Sequence, residues 1–254
     1  MPTQSKVPSS PELAYQDEVF LAGEDGRPLR ILAEYLGPLH RFRAANIHDT
    51  IVFFGSARLS SDGPLGRYYH EARELARSLT LWSKSLPSHA HRYVVCTGGG
   101  GGIMEAANRG AADAGGRTIG LNISLPHEQR PNIYVTRELS LEFRYFFMRK
   151  LWFAQPAQAL IVFPGGFGTM DEMFEFLTLI QTRKMARRVN IFLYGSKFWK
   201  RALNFGWLLE SGTISAEDLK LIRFVDSPGQ AFGILKDELG QRFGLRPAIK
   251  HPLL

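Results

Sequence analysis

The chain has 254 residues, of which 44% are hydrophobic and 12% aromatic. This composition is typical of a globular protein and excludes a disordered one, and the length lies near the upper limit for a single domain. The formal charge of +7, from 31 Lys and Arg against 24 Asp and Glu, favours an anionic ligand. A nucleotide, a nucleic acid and an acidic membrane would each satisfy that charge, and no RNA-binding aromatic signature or zinc-finger spacing narrows the choice.

The single cysteine, Cys96, excludes an intrachain disulfide and a multi-cysteine zinc site, and it indicates a reducing compartment. It lies in a strand pattern, where a small core residue is the simplest interpretation. The N-terminal residues have no apolar signal-peptide core, and no stretch approaches the ~18 apolar residues of a membrane helix. We therefore predict a cytoplasmic protein without a membrane partner.

The chain begins with a predicted tail and helical extension over residues 1–48. Residues 1–10 are rich in Ser, Pro and Gln, and one short and one longer helix are predicted between Pro11 and Ala45. The longer helix carries an apolar stripe that would pack on the core or on a partner subunit, formed by Leu29, Ile31, Leu32, Tyr35, Leu36, Leu39 and Phe42.

Residues 49–245 alternate between strand and helix patterns, and residues 246–254 form a predicted C-terminal tail. Six strands are predicted, at 50–54, 93–97, 117–123, 159–163, 190–194 and 222–225, with a further short strand at 133–135 in the polar loop 124–136. The predicted helices cover 65–86, 103–114, 141–155, 173–180, 197–210 and 229–242. Because nearly every strand is apolar throughout, we predict an α/β fold with a doubly wound, Rossmann-like parallel sheet in a single domain.

Three turns rich in glycine or serine follow predicted strands, at Gly55-Ser56, Gly98 to Gly102 and Gly165 to Thr169. Ligands of such sheets bind beyond the carboxyl ends of the strands, so we expect the three turns to form one site. In the third turn, glycines permit close backbone approach, and the unpaired amides at the start of the next helix would hold a phosphate, with Glu172 just above it. These residues fit equally well a capping box, in which Thr169 and Glu172 merely satisfy the amides of the helix.

The sequence excludes several other nucleotide and metal sites. Neither glycine run completes the dinucleotide fingerprint, because the third glycine position is occupied by Ile103 in one and by Asp171 in the other. The phosphate-binding loop of ATPases is absent, since no glycine is followed by Lys and then Ser or Thr. His127-Glu128 lacks a second histidine at helical spacing, so we predict no metal site. Because the dinucleotide fingerprint is incomplete, we also predict no nicotinamide or flavin cofactor.

Four segments together resemble the LOG family, whose members are cytokinin riboside 5′-monophosphate phosphoribohydrolases and related nucleotide nucleosidases, often labelled lysine decarboxylases. They are Gly98 to Ala111, Leu125 to Gln129, Tyr145 to Lys150 and Pro164 to Glu172. The resemblance extends from about Ile51 to Tyr194, with the motifs in matching order. Any one motif would be a weak signal, but four in register are a strong one.

The resemblance implies a homodimeric, Rossmann-like enzyme that acts without a cofactor. It would hydrolyse the N-glycosidic bond of a nucleoside 5′-monophosphate, releasing the base and ribose 5-phosphate, and nucleic acid is not an expected partner. Arg149 and Glu172 are the implied catalytic pair. The implied phosphate and substrate contacts are Gly165, Gly166, Gly168, Thr169, Lys150, Glu128 and Thr178, to which we add Gly99, Gly100 and Ser56 from the neighbouring turns; Ser56 fits an ordinary turn equally well.

Two positions depart from the family pattern. Gly101 stands where the family usually has proline, and Phe146-Phe-Met-Arg-Lys150 replaces the Met-His-x-Arg-Lys form of the plant-like members and matches a longer bacterial branch. The preferred base therefore stays open. A second class of function also stays open, because relatives of this fold include molybdenum-cofactor carriers, which bind a phosphorylated pterin without converting it, and a DNA-processing protein that binds single strands.

Overall fold

A computed structural model describes residues 13–124, 130–185 and 189–244. Seven strands form one sheet: β1 Thr50–Phe54, β2 Val94–Thr97, β3 Thr118–Ile123, β4 Ser140–Phe143, β5 Ala157–Val162, β6 Asn190–Tyr194 and β7 Ile222–Val225. They pair in the order β4-β3-β2-β1-β5-β6-β7, and every pair is parallel. The predicted doubly wound α/β fold is confirmed.

The helices of the described ranges are α1 Glu18–Ala22, α2 Arg27–Ala44, α3 Gly66–Lys84, α4 Ile103–Asp113, α5 Phe146–Ala154, α6 Phe167–Gln181, α7 Ser196–Ala202, α8 Phe205–Glu210, α9 Ala216–Leu219 and α10 Pro228–Gly244, with a 3-10 turn at Arg137–Leu139. None of the helices in this part of the chain is long and apolar enough to cross a membrane.

Helices cover both faces of the sheet, which explains why the central strands are almost entirely apolar. In β1, Val52 and Phe54 face a core shared with α2, α5, α6 and α7, while Ile51 and Phe53 face a core shared with α3, α4 and α10. The chain winds outward from β1 to β4 on one side and from β5 to β7 on the other. A crevice is therefore expected where the winding direction changes, at the carboxyl ends of β1 and β5.

The apolar stripe of α2 divides into a buried and an exposed part. Leu39 and Phe42 are buried, and the Phe42 ring packs edge-on against Trp152 of α5 with centroids 5.4 Å apart. Leu29, Leu32 and Leu36 are exposed on the same helix. The inner part of the stripe thus joins α2 to the core, and the outer part is exposed.

The predicted helix over 141–155 is wrong at its start, because its first residues form the edge strand β4. Leu141 and Phe143 are buried there while Glu142 between them is exposed, which is the two-residue period of a strand. The Glu34 carboxylate accepts hydrogen bonds from the next two amides, of Arg144 at 2.8 Å and Tyr145 at 3.2 Å. These bonds hold the chain extended until α5 begins.

Two further predictions are corrected in loops. Residues 133–135 form a turn rather than a strand, because the Asn132 side chain accepts a hydrogen bond from the Tyr134 amide at 3.1 Å. The predicted helix over 197–210 is interrupted after Ala202, and Asn204 caps the second part by accepting a hydrogen bond from the Trp207 amide. The short helix α9 was not predicted.

Candidate active site

The three predicted turns meet at one edge of the sheet, because they follow the neighbouring strands β2, β1 and β5. The backbone of Ser56 links them. Its amide donates to the Pro164 carbonyl at 3.0 Å, and its carbonyl accepts from the Ile103 amide at 3.1 Å. The crevice at the change of winding direction is thus bordered by all three turns.

The start of α6 is open to solvent. Its N-cap is Gly166, Phe167 is 93% exposed, and a Cβ atom added at Gly166 or Gly168 would meet nothing within 4 Å. The first-turn amides have no carbonyl four residues earlier within the helix, so they can bind an anion at the positive end of the helix dipole. Gly165 is needed for a different reason, because a side chain there would collide with Thr169.

The capping-box interpretation of this turn is wrong. Thr169 is the third residue of α6 and Glu172 is the sixth, so neither stands where a capping pair must. Within the described residues, no side chain caps this helix. Glu172 is therefore free of a capping role.

Arg149 of α5 and Glu172 of α6 form a buried ion pair beside the turn predicted to bind phosphate, Gly165 to Thr169, which we call the phosphate loop. Arg149 Nη2 lies 3.6 Å from Glu172 Oε1, and the two side chains are 13% and 7% exposed. The guanidinium fits against the end of β2, because a Cβ atom at Gly98 would lie 3.0 Å from Arg149 Nη2. Arg149 also lies over the Phe153 ring, and its Nε has no hydrogen-bond partner among the described residues.

Burial changes the proton affinity of both partners. Burial raises the pKa of Glu172 to about 7, although the nearby Arg149 opposes the change. Burial lowers the pKa of Arg149, and Glu172 opposes that change. A carboxyl group with a pKa of about 7 can both accept and donate a proton near neutral pH, which is the property required of a general acid–base group.

Residues 104–235, more than half of the chain, match a protein family described as "possible lysine decarboxylase". The chain belongs to this family, the LOG family. No curated protein matches the chain.

Two solved structures share the LOG-type fold of the chain. The X-ray structure of TM1055 is 20% identical, covers 74% of this chain and 99% of its own, and superposes with a TM-score of 0.51. The molybdenum cofactor carrier protein from Chlamydomonas reinhardtii is 21% identical, covers 76% of this chain and 99% of its own, and has a TM-score of 0.50.

Of the other residues implied by the LOG resemblance, Lys150 takes a structural position. Its Nζ lies 2.9 Å from Asp171 Oδ1 and 2.8 Å from Glu175 Oε2, so it joins α5 to α6. Burial acts to lower the pKa of Lys150, but the hydrogen bonds with Glu175 and Asp171 outweigh it, and the pKa is raised. Lys150 therefore stays protonated beside Arg149.

Thr178 lies further along α6 than Glu172. It is exposed and follows Glu172 by six residues, which places it roughly 9 Å further along the axis of α6. The Ser56 hydroxyl accepts a hydrogen bond from the Arg58 amide at 3.1 Å, as an ordinary turn does, although Ser56 itself lies at the crevice. Glu128 lies outside the described residues.

The Gly98 to Gly102 turn is held by asparagines that the sequence analysis did not identify. Asn132 Nδ2 donates to the carbonyls of Gly99 at 3.0 Å and Gly100 at 2.9 Å, and to Asn108 Oδ1 at 2.9 Å. Gly99 and Gly100 are buried, so their carbonyls serve this network. The signal was present in the sequence, because Asn108 follows the glycine run on the next helix, where a buried amide needs polar partners.

The turn from Gly98 to Gly102 accommodates glycine at position 101, where LOG-family members usually have proline. Gly99 and Gly102 adopt positive φ angles of 74° and 63°, which favour glycine. A Cβ atom at Gly101 would meet the Ala57 carbonyl oxygen at 3.4 Å, an ordinary contact distance. The conformation of the turn therefore requires glycine at positions 99 and 102 but not at position 101.

Cys96 lies in β2 beneath the site and is buried, as expected of a core residue. Burial raises the pKa of its thiol, so it stays protonated. In the described ranges, no group of three or more His, Cys, Asp or Glu could hold a metal ion.

Proposed function

We propose that this protein hydrolyses the N-glycosidic bond of a nucleoside 5′-monophosphate, such as AMP or a cytokinin riboside monophosphate, and releases the free base and ribose 5-phosphate. The buried Arg149–Glu172 pair beside an exposed helix start is the observation that carries the proposal. Membership of the LOG family supports a nucleotide as the ligand.

The substrate phosphate would bind at the exposed start of α6. There it meets the free amides of the first turn, and Gly166 and Gly168 leave room for it. Glu172 follows one turn later on the same helix, so the phosphate fixes the ribose next to the carboxylate. Energy gained at the phosphate then serves the chemical step, and nucleosides without a phosphate should be poor substrates.

Glu172 would act on the water that attacks the sugar. As the bond from C1′ to the base nitrogen breaks, its electron pair leaves with the base and positive charge builds on the ribose. Ionised Glu172 stabilises that charge and takes a proton from water, whose oxygen bonds to C1′. The base gains a proton, Glu172 releases its own, and one water molecule is consumed overall.

Arg149 would position the substrate and Glu172. Its guanidinium stays charged and presents donors in a fixed planar fork, and part of that fork is unused among the described residues. The gap of 3.6 Å to Glu172 is longer than a hydrogen bond, so Arg149 can turn its donors to a substrate without first breaking a tight bidentate pair. Its positive charge also keeps a fraction of Glu172 ionised.

A non-catalytic carrier of a phosphorylated ligand is the alternative, and one neighbour in fold is a molybdenum cofactor carrier. A carrier would use the phosphate loop but has no need for a buried carboxylate that exchanges protons near pH 7. This carboxylate favours hydrolysis over carriage.

Lysine decarboxylation, which the family description mentions, does not fit the residues of the site. Such a reaction ordinarily uses a lysine that forms a Schiff base with pyridoxal phosphate, and this requires a neutral amine. Lys150 is the lysine next to the catalytic pair, and it is bound between Asp171 and Glu175 with a raised pKa. We therefore assign it no such role.

The proposal is tested by incubating the purified protein, in chelator-treated buffer, with AMP, GMP, CMP, UMP and a cytokinin riboside monophosphate. We expect stoichiometric release of base and ribose 5-phosphate from at least one monophosphate and little from the matching nucleoside. Tight binding of a monophosphate or of a phosphorylated pterin, without release, would instead support the carrier alternative.

A further inference from the structure

A groove continues from the phosphate loop on the side that does not include Arg149 or Glu172. Its first part, of about 340 Å³, is bordered by Ser56, Arg58 and Gly165. Its second part, of about 550 Å³, shares Leu65 and Phe198 with the first and continues to Arg67, Lys197 and Arg201. We call the combined recess the basic groove.

Every charged side chain that lines the basic groove is a cation, namely Arg58, Arg67, Lys197 and Arg201. All four are exposed. The side chains of Arg58, Lys197 and Arg201 make no ion pair or hydrogen bond with any residue that the structure describes. Arg67 is held in place, because it donates to the Tyr68 hydroxyl at 2.7 Å and lies over that ring.

The basic groove borders the phosphate loop but is not lined by Arg149 or Glu172. Gly165 belongs to the loop and also borders the groove, whereas Arg149 contacts the end of β2 at Gly98. If the sugar lies against Glu172 and its 5′-phosphate lies at the start of α6, a group attached beyond that phosphate extends into the groove. Three of the four cations, Arg58, Lys197 and Arg201, have no acidic partner in the described residues, whereas Arg67 is attracted to Glu71. The three unpaired cations would attract a second phosphate there.

We infer that the site also binds nucleoside 5′-diphosphates, with the β-phosphate in the basic groove. The inference rests on the proposed function, because it takes the α-phosphate to lie at the start of α6. Leu65 and Phe198 supply apolar walls, so the groove selects a compact anion flanked by cations rather than a long acidic polymer. A diphosphate therefore binds more tightly than the matching monophosphate and competes with it.

Calorimetric titration of Glu172→Gln protein with AMP and ADP tests this without turnover. We expect ADP to bind roughly tenfold more tightly than AMP at low salt, as three weak surface ion pairs would provide. The variant Arg58→Ala/Lys197→Ala/Arg201→Ala removes the three unpaired cations of the groove, and it should lose this preference while its affinity for AMP stays the same. Raising the salt to about 0.5 M should also reduce the preference, because it screens exposed charges.

A matched control removes three exposed cations outside the groove, in Arg43→Ala/Arg77→Ala/Lys236→Ala, and should keep the preference for ADP. The single variant Lys197→Glu provides a second test if the triple variant is poorly folded, and it should bind ADP more weakly than AMP. Binding of AMP with equal or weaker binding of ADP would overturn the basic groove alone. Failure to bind either nucleotide would overturn the phosphate site and the proposed function with it.

Discussion

Arg149 Nη2 and Glu172 Oε1 approach to 3.6 Å in a largely buried position without closing a hydrogen bond. A tight bidentate pair would hold the carboxylate ionised far below neutral pH. The looser contact leaves burial as the dominant influence, and the pKa of Glu172 rises to about 7. The pair therefore combines a permanent cation with a carboxyl group that can change its protonation state under physiological conditions.

The pH dependence of hydrolysis should report this carboxyl group. In the proposed mechanism the ionised form of Glu172 activates water, so kcat/KM should rise as the pH increases through about 7 and level off above it. The measurement is kcat/KM for the best monophosphate from about pH 5.5 to 8.5 at constant ionic strength. The substrate phosphate also titrates in this range, so the profile is corrected for that titration. A profile that is flat after this correction would contradict the assignment.

Substitutions of Arg149 should separate its charge from its shape. Arg149→Ala removes the cation that opposes burial, so the pKa of Glu172 should rise further and the midpoint of the pH profile should move to higher pH. Arg149→Lys restores a charge without the planar fork, so the midpoint should return toward the wild-type value while kcat stays low. Equal midpoints in the wild type and the alanine variant would show that the two groups are not coupled.

Gly166→Val should prevent phosphate binding without unfolding the protein. A Cβ atom there meets no protein atom within 4 Å and Gly166 has a negative φ of −94°, so the valine side chain meets no clash and projects toward the proposed phosphate. Gly229→Val is the control, because that glycine has similar free space at the start of α10. We expect calorimetry to detect no AMP binding by Gly166→Val and normal binding by Gly229→Val. Equal affinities would place the phosphate elsewhere.

We also predict a homodimer that covers the exposed apolar residues of α2 and α5. Leu29, Leu32 and Leu36 are exposed on α2, and Phe146, Phe147 and Leu151 are exposed on α5, the helix that packs against it. Sedimentation at micromolar concentration should give a mass near twice 28.6 kDa for the wild type and for Trp207→Glu, which alters an exposed aromatic residue on α8. The variant Leu32→Glu/Phe147→Glu should sediment as a monomer. A monomeric wild type would refute the interface.

The sheet and the edge where the three turns meet could be predicted because the strands are buried on both faces and are therefore runs of apolar residues. Thr50–Phe54, Asn190–Tyr194 and Ile222–Val225 were placed correctly to the residue. The edge strand Ser140–Phe143 was missed because its alternating pattern merges with the aromatic start of α5. What separates them is the contact between Glu34 and the amides of Arg144 and Tyr145, over a hundred residues apart in sequence.

The role of a site residue could be predicted where its motif and residue type indicate its chemistry. It could not be predicted where the role depends on partners that lie far away in the sequence. Arg149 and Glu172 were identified through their motifs, and the structure brings them together. Lys150 belongs to the same motif as Arg149, but its side chain points to two acids of α6 that the sequence alone could not assign to it. Asn132 was missed for the same reason, because its partners are backbone carbonyls of a distant turn.

The most direct test of the account compares ribose 5-phosphate release by the wild type, Glu172→Gln and Asp171→Asn in single-turnover assays with saturating enzyme. Gln matches the shape of the protonated carboxyl group, so Glu172→Gln should fold and still bind the monophosphate. Its release should be at least ~100-fold slower, because the charge and basicity are lost. Asp171→Asn removes a neighbouring, more exposed carboxylate and should keep most of the rate. Near wild-type release by folded Glu172→Gln would contradict the proposed function of this residue.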